Sequence, residues 1–328
     1  MEPLKQLSNR ELRKARRLSK SKEKVSSIAS YEQPRVLTYD DLDESQQRAF
    51  KDICIWWNTQ QNIGGVAKPL SLGGVAGSGK TTSLSITLPT LKNLNNKPVH
   101  VRYAAYTGKA AMVMISKGLP AETIHSTIYN TFPCGDGVKF VLKHPEEVDA
   151  ELLVIDEASM IPDDIQCDIE SLGIPVLYVG DHAQLEPVKG YGCVMKDPQI
   201  KLEEVHRQAL DSGIIEVSTL VRTGKVVKKG VYGIHKDAKK VGSDKVNDLD
   251  LLSSADVVIC HTNKQRQELN ISIRQHKGFS GTYPQVGEKL ICIRNNKNTG
   301  VCNGLSVIVT AIAYEGGYLV MDCVDEVG

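Results

Sequence analysis

The chain has 328 residues, 41% hydrophobic and 24% charged, with a formal net charge of +1; this is globular composition, with material for two lobes that each hold a core. No apolar run reaches the ~20 residues that span a bilayer and no apolar signal core opens these residues, so neither a membrane-spanning helix nor a secretion signal is read and a cytoplasmic protein is expected. Eight scattered cysteines, with no C-x-x-C pair and no zinc spacing, read as reduced thiols rather than disulfides or metal ligands.

Residues 1–35 carry ten lysines and arginines and read as a flexible, solvated tail, with phosphate binding as the alternative. Leu42 to Trp57 has the spacing of an amphipathic helix, with Asp43 or Ser45 near its start. Pro69 to Leu72 is a short strand that runs into a glycine-rich loop. Thr82 to Leu91 is a helix, His100 to Ala105 a second strand, and Lys109 to Lys117 a second helix. Between short apolar stretches, Gly135-Asp-Gly137 carries an Asp-Gly hairpin signal. Glu151 to Ile155 and Pro175 to Val179 are apolar strands that end in acids. Continuous apolar strands alternating with helices predict an α/β fold: a parallel sheet covered on both faces, with its reactive loops at the carboxyl ends of the strands.

The lysine-rich stretch from Lys225 to about Asp248 reads as a loop or linker. Asp256 to Cys260 is predicted as a strand and Lys264 to about His276 as a helix, the opening of a second α/β lobe. Lys289–Arg294, Leu305–Ile312 and Tyr318–Cys323, separated by Asn/Gly turns, predict a small β module, perhaps barrel-like. The expected organisation is therefore a basic tail (1–35), a first lobe (36–205) with a hairpin insert near 130–145, a partial second lobe (206–283) and a β module (284–328).

The strongest signal is Gly74-Val75-Ala76-Gly77-Ser78-Gly79-Lys80-Thr81, a full G-x-x-x-x-G-K-[ST] between a strand and a helix that begins near Thr82. Glycines let backbone N–H groups wrap phosphates, and the helix N-terminus adds positive potential. Lys80 is placed to reach the β- and γ-phosphates and Thr81 to ligate Mg²⁺. The loop alone admits ATP or GTP, and a kinase or a GTPase. Downstream, Asp156-Glu157 closes an apolar strand: Asp156 is a candidate for the Mg²⁺ shell, and Glu157 for polarising the attacking water. That second acid favours hydrolysis over phosphoryl transfer. Asp181-His-Ala-Gln184 follows another apolar strand, and Gln184 is a candidate γ-phosphate sensor or an ordinary loop glutamine.

Taken in order, these segments resemble superfamily 1 DNA helicases of the RecD-like and bacteriophage Dda-like class. Leu42-Asp-Glu-Ser-Gln46 resembles the Q-motif, and Gly74–Thr81 motif I. Ala105-Tyr-Thr107-Gly108-Lys109-Ala110-Ala111 resembles motif Ia, and Thr123-Ile-His125-Ser126 motif Ib. Asp156 to Met160 is similar to motif II, Gly180 to Val188 to motif III, Leu202 to Gln208 to motif IV, and His261-Thr262-Asn263 through Arg274 to the opening of the second motor lobe.

The resemblance implies a P-loop NTPase fold of RecA-like form, a partial second RecA-like lobe and an SH3-like β module. It implies ATP and Mg²⁺ as cofactors and single-stranded DNA as partner, with 5′ to 3′ movement. Gln46 would read adenine and Arg207 would reach the γ-phosphate. Thr107, Lys109, His125, Ser126, Thr262 and Asn263 would lie along the DNA, with a packed, hydrogen-bonded histidine as the other reading of His125. Thr82 would complete the nucleotide site. The segment Phe132 to Lys143 stands where this class carries a strand-separating hairpin, with a plain connecting loop as the other reading.

Tyr106 and Glu186 replace prolines common in the family. The family's last motifs, including a Thr-Arg segment with a second γ-phosphate arginine, are absent from these 328 residues. The expectation is thus an ATP-dependent DNA helicase, the amino-terminal part of one, or one completed by a partner chain. The alternative is an ATP- and DNA-binding scaffold that does not unwind.

Overall fold

The structure is a computed structural model that describes residues 37–62, 67–75, 77–134, 137–185, 187, 190, 192, 194–202, 211–293, 301, 303–315 and 317–325. Contacts divide the chain into Met1–Asp41 and Leu42–Gly328. In the first unit the described residues make one 3₁₀ turn, Tyr39–Asp41. All that follows concerns the second.

Helix α1 (Glu44–Asn62) buries Gln46, Ala49, Ile53 and Trp57, a stripe at three- and four-residue spacing. A reciprocal cap starts it. Asp43 Oδ1 accepts from Gln46 N at 2.8 Å, and Gln46 Oε1 accepts from Asp43 N at 3.1 Å. Strand β1 (Leu70–Gly74) leads through the loop into α2 (Lys80–Thr87). There Pro89 leaves only a 3₁₀ turn, Leu88–Thr90, so the predicted helix to Leu91 stops early.

Then come β2 (Val101–Ala105), α3 (Gly108–Ser116), β3 (Ala121–Thr123) and the short α4 (Ile124–Ile128). Strands β4 (Tyr129–Cys134) and β5 (Gly137–Leu142) pair antiparallel, with Cys134 opposite Gly137, which is the hairpin expected near 130–145. After the single turn α5 (Pro145–Val148) come β6 (Leu152–Asp156), α6 (Asp163–Ser171), β7 (Val176–Gly180) and β8 (Ile200–Leu202).

The main sheet has the order β3-β2-β6-β7-β1-β8, with every pair parallel. Alternation along β6 shows why its run is unbroken. Leu153 and Ile155 enter a core with Ile124, Ile128, Ile165 and Ile169 on one face. Leu152 and Val154 enter a second core with Ile53, Trp57, Leu72 and Leu84 on the other. A strand covered on both faces needs apolar residues at every position. Register then sets the site. Ala105 stands opposite Asp156 and Gly73 opposite Gly180, so the loop after Gly74, Asp156 and Asp181 share one edge of the sheet. At Gly180 a Cβ would approach the Ala158 and Ser159 amides to 3.2 Å, so the turn after Asp156 packs against bare backbone.

From residue 211 the described elements are helix α7 (Gly213–Arg222), hairpin β9 (Gly230–Tyr232) with β10 (Ala238–Lys240), helices α8 (Leu249–Ser253) and α9 (Asn263–His276), and strands β11 (Lys289–Ile291), β12 (Ser306–Glu315) and β13 (Tyr318–Asp325). The last three form an antiparallel sheet in the order β11-β12-β13, close to the predicted boundaries. Gly304, at φ 88°, takes the turn before β12 and Gly317, at φ 83°, the one between β12 and β13.

The predicted strand Asp256–Cys260 does not form. These residues are in no helix or strand, and Ile259 is 92% exposed. An apolar run becomes a parallel strand only when neighbours take its hydrogen bonds and side chains. Among the described residues no strand pairs with it.

Candidate functional site

The sheet edge gathers the predicted phosphate site. Gly77 and Gly79 adopt left-handed φ of 79° and 76°, which turns the loop tightly into α2. Gly79 is the N-cap of α2 and offers no side chain to its first amides, so the helix start is left open for an anion. Ser78 is buried, and its Oγ has no hydrogen-bond partner. A Cβ on Gly74 would lie 2.5 Å from that oxygen. A closed glycine cradle, an orphaned hydroxyl and an uncapped helix start together fit a nucleoside triphosphate. Ala76 lies outside the described residues, Val75 is buried, and Thr82 is half-buried in the first turn of α2.

Lys80 Nζ is folded onto the loop's own carbonyls, 2.6 Å from Gly74 O and 3.3 Å from Val75 O. Burial pushes its pKa down, while Asp181, Asp156 and Glu157 pull it up in that order. The acid with the largest pull is therefore Asp181, to which the sequence reading gave no role. It is 8% exposed, and its Oδ1 accepts from Ala183 N at 2.9 Å. The signal was present in the sequence: an acid at the end of an apolar strand, here β7, which pairs with β1.

Asp156 Oδ1 accepts from Glu157 N at 2.9 Å. Glu157 is in the left-handed region at φ 54° and caps a 3₁₀ turn, Ala158–Met160. Its carboxyl is pushed up, first by burial, then by Asp156 and Asp181, against the opposing pull of Lys80. Gln184 is exposed and its Oε1 accepts from Ser159 Oγ at 3.3 Å, so it is tied to the turn after Glu157. Arg207 lies outside the described residues.

Two further side chains reach the loop and its helix. Gln46 is 1% exposed, and its Nε2 donates to Ser78 O at 3.3 Å. One amide thus caps α1 through its oxygen and braces the phosphate loop through its nitrogen. Lys117, just past the end of α3, places Nζ 3.5 Å from Thr81 Oγ1. With Asp156 these two residues line a single cavity between α2, α3 and the sheet. Thr81 and Asp156 bring the hard oxygens that Mg²⁺ prefers, so they fit that ion.

The predicted DNA residues fall in several places. Thr107 caps α3, its Oγ1 accepting from Ala110 N at 3.2 Å, and Lys109 is exposed on the first turn. His125 stands in an aromatic cluster, with ring centroids 5.5 Å from Phe140, 5.7 Å from Tyr129 and 6.4 Å from Tyr106. Burial lowers its pKa, opposed by Asp164. Tyr129 ties the cluster to α6 by donating its hydroxyl to Asp168. Ser126 is exposed, with its hydroxyl 3.0 Å from Thr123 Oγ1. Thr262 caps α9 at Gln265 N, 3.2 Å away, and Asn263 is the exposed first residue of that helix. Among the described residues no hydrogen bond or ion pair joins Thr262 or Asn263 to the first-lobe group. Phe132 on β4 is 53% exposed.

A family model described as AAA domain matches residues 42–240. A solved structure of two coordinating Pif1 helicases at forked duplex DNA is 23% identical, with 86% of this chain and 74% of that one covered and a TM-score of 0.49. The Pif1 helicase from Bacteroides with ADP-AlF3 and single-stranded DNA is 18% identical, covering 86% and 79%, with a TM-score of 0.48. Pif1 helicase from Candida albicans is 20% identical, covering 86% and 70%, with a TM-score of 0.45. No helix of the described residues is long and apolar enough to cross a membrane. With that match running through more than half of the sequence, phosphate loop included, the chain belongs to the AAA domain family.

Proposed function

We propose that this chain is a magnesium-dependent ATP hydrolase of the DNA-helicase type, which couples hydrolysis to 5′ to 3′ movement on single-stranded DNA. One observation carries the reading: Lys80, Asp156, Glu157 and Asp181 converge at one sheet edge on a glycine cradle with an orphaned Ser78 hydroxyl. Bound ATP and Mg²⁺ supply the phosphoanhydride and the charge that activates it. Lys80 gives up its bond to Gly74 O for the β- and γ-phosphates. Thr81 and Asp156 hold the metal. Glu157 orients the attacking water and takes its proton, while Gln184 senses the γ-phosphate from its tether on Ser159. Arg207 adds positive charge at the γ-phosphate. Gln46 links the adenine edge to the loop it already braces.

Thr107, Lys109, His125, Ser126, Thr262 and Asn263 form the DNA track, and Phe132 on the hairpin meets the duplex. Polarity and the track rest on the resemblance to superfamily 1 helicases. A partner chain that supplies the family's last motifs belongs to the same reading. The unpaired Asp256–Cys260 segment favours a second reading, an ATP- and DNA-binding scaffold, because lobe closure needs a formed second lobe.

DNA-stimulated ATPase turnover separates the two. Turnover that rises with single-stranded DNA and vanishes in Lys80→Ala supports the motor. Tight ATP binding without stimulated turnover leaves the scaffold. Failure to bind any nucleotide ends both. Forks with only a 5′ or only a 3′ tail then test direction.

A further inference from the structure

Residues 222–245 hold eight lysines and arginines against two aspartates, in a chain whose net charge is +1. All eight bases are exposed. They are carried on the β9–β10 hairpin and its flanks, where Lys239 faces Val231 and Lys240 faces Gly230 across the strands. The half-buried side chains of the pair are Tyr232 and Ala238, while Val231 and Lys239 are exposed.

The acids nearby are consumed in building the hairpin. Asp237 accepts from Ser212 Oγ at 2.6 Å and from Gly213 N at 2.7 Å, tying the hairpin to the start of α7. Glu216 accepts from Gly233 N at 3.0 Å. Asp244 lies 3.8 Å from Lys229 and Asp248 lies 3.0 Å from Lys245. Arg222, Lys225, Lys228, Lys236, Lys239 and Lys240 are left with no carboxylate within 4 Å among the described residues. Like charges held side by side on a short hairpin repel one another, and a polyanion relieves that repulsion while releasing its own counterions.

We infer that the β9–β10 hairpin is a binding surface for the phosphodiester backbone of DNA, separate from the Thr107 and Thr262 segments. The inference rests on the DNA-motor reading and adds a contact to it. Phosphates are what such a surface can recognise: it holds grip and position and carries no base readout.

The test is fluorescence anisotropy of the full chain with a labelled single-stranded oligonucleotide and, separately, a blunt duplex, across a salt series. Lys228, Lys229, Lys239 and Lys240 are changed together to alanine and, in a second variant, to arginine. With about 0.7 of salt slope per phosphate contact on single strands and about 0.9 on duplex, the alanine variant is expected to lose roughly 3 units of slope on whichever form docks here. Its affinity at low salt falls by about tenfold or more. The arginine variant keeps the wild-type slope, and both bind a fluorescent ATP analogue as wild type does. An alanine variant with unchanged affinity and slope on both DNA forms overturns this inference alone. A wild-type chain that binds neither form overturns the DNA reading beneath it. An arginine variant as weak as the alanine one shows that shape, not charge, was lost, and also overturns the inference.

Discussion

Two helix-opening corners of this chain share a local design and meet different fates. At the first, Thr107 sits at φ −116°, ψ 152° and caps α3 through Ala110 N at 3.2 Å. At the second, Thr262 sits at φ −118°, ψ 152° and caps α9 through Gln265 N at 3.2 Å. The residues before Thr107 form β2, hydrogen-bonded on both sides, with Ala104 and Ala105 fully buried. Those before Thr262 form no strand. Helix α3 buries Ala111 and Met114, whereas α9 buries nothing. A cap is decided within four residues, so both corners have one. A parallel strand is decided by its neighbours, which only the first corner has.

The sharpest way to break that comparison is to put a charge on each side of it. Ala104→Asp buries an unpaired carboxylate in the core around Leu153 and Ile155 and is expected to cost about 3–5 kcal/mol, enough to unfold the main sheet. Ile259→Asp changes a side chain that is 92% exposed and is expected to stay within ±0.5 kcal/mol. Thermal melts followed by circular dichroism read both. If Ile259→Asp is as damaging as Ala104→Asp, the segment is covered in solution and the contrast is false.

The chemistry stands on the paired side, at the strand ends. Glu157→Gln removes the proposed base and is expected to lower DNA-stimulated kcat by about 10²–10⁴-fold with ATP affinity kept. In wild type the pH profile carries a second signature. The carboxyl is raised above its ordinary 4.5 by burial and by Asp156. Activity needs the carboxylate, so it is present above the folded pKa and falls as pH drops through it, earlier than for an unperturbed Glu. Stability runs the other way. A raised carboxyl favours the protonated fold below its ordinary value, and that contribution is lost as pH rises through the folded pKa. Glu157→Gln is therefore expected to melt higher than wild type at pH 8, with the gain fading as pH falls through the raised folded pKa and gone below about pH 4.5. An acid limb that survives unchanged in the variant would assign the titration to another group.

Legibility followed the same division. The phosphate loop, the acids at 156 and 157 and the order of apolar strands could be read because each is a local pattern that both sheet faces enforce. The strand at Asp256–Cys260 was misread because Val-Val-Ile looks the same with or without neighbours. Gln46 was read for adenine, yet its double role as cap and loop brace depends on Ser78, 32 residues away, and no spacing rule carries that. Lys117 beside Thr81 is likewise visible only once the end of α3 meets the first turn of α2. Asp181 could have been found, since an acid after an apolar strand already marked Asp156. The hairpin at 129–142 was placed by its Asp-Gly signal, while the aromatic packing of His125 against Phe140 needed that hairpin folded back.

The smallest expected effect is the most direct measure of the two corners. Thr107→Ala and Thr262→Ala each delete one hydroxyl that accepts one amide, in the same backbone conformation, so their intrinsic cost is equal, about 1 kcal/mol. What differs is where that loss is felt. Helix α3 packs its Ala111 and Met114 against Ala105 of β2 and Ala121 of β3, so fraying it exposes apolar surface and Thr107→Ala lowers global stability by the full amount. Helix α9 has no fully buried residue, and its half-buried ones, Leu269, Ser272, Ile273 and Arg274, all lie beyond its first turn, so Thr262→Ala frays that turn without touching the core. Native-state hydrogen exchange resolves this. In Thr107→Ala, protection falls across β2, β6 and α3 together. In Thr262→Ala, it falls only in the first turn of α9, and the melting temperature does not move. A global loss in both variants would mean that the second corner is packed after all, against something that covers Val257 and Ile259.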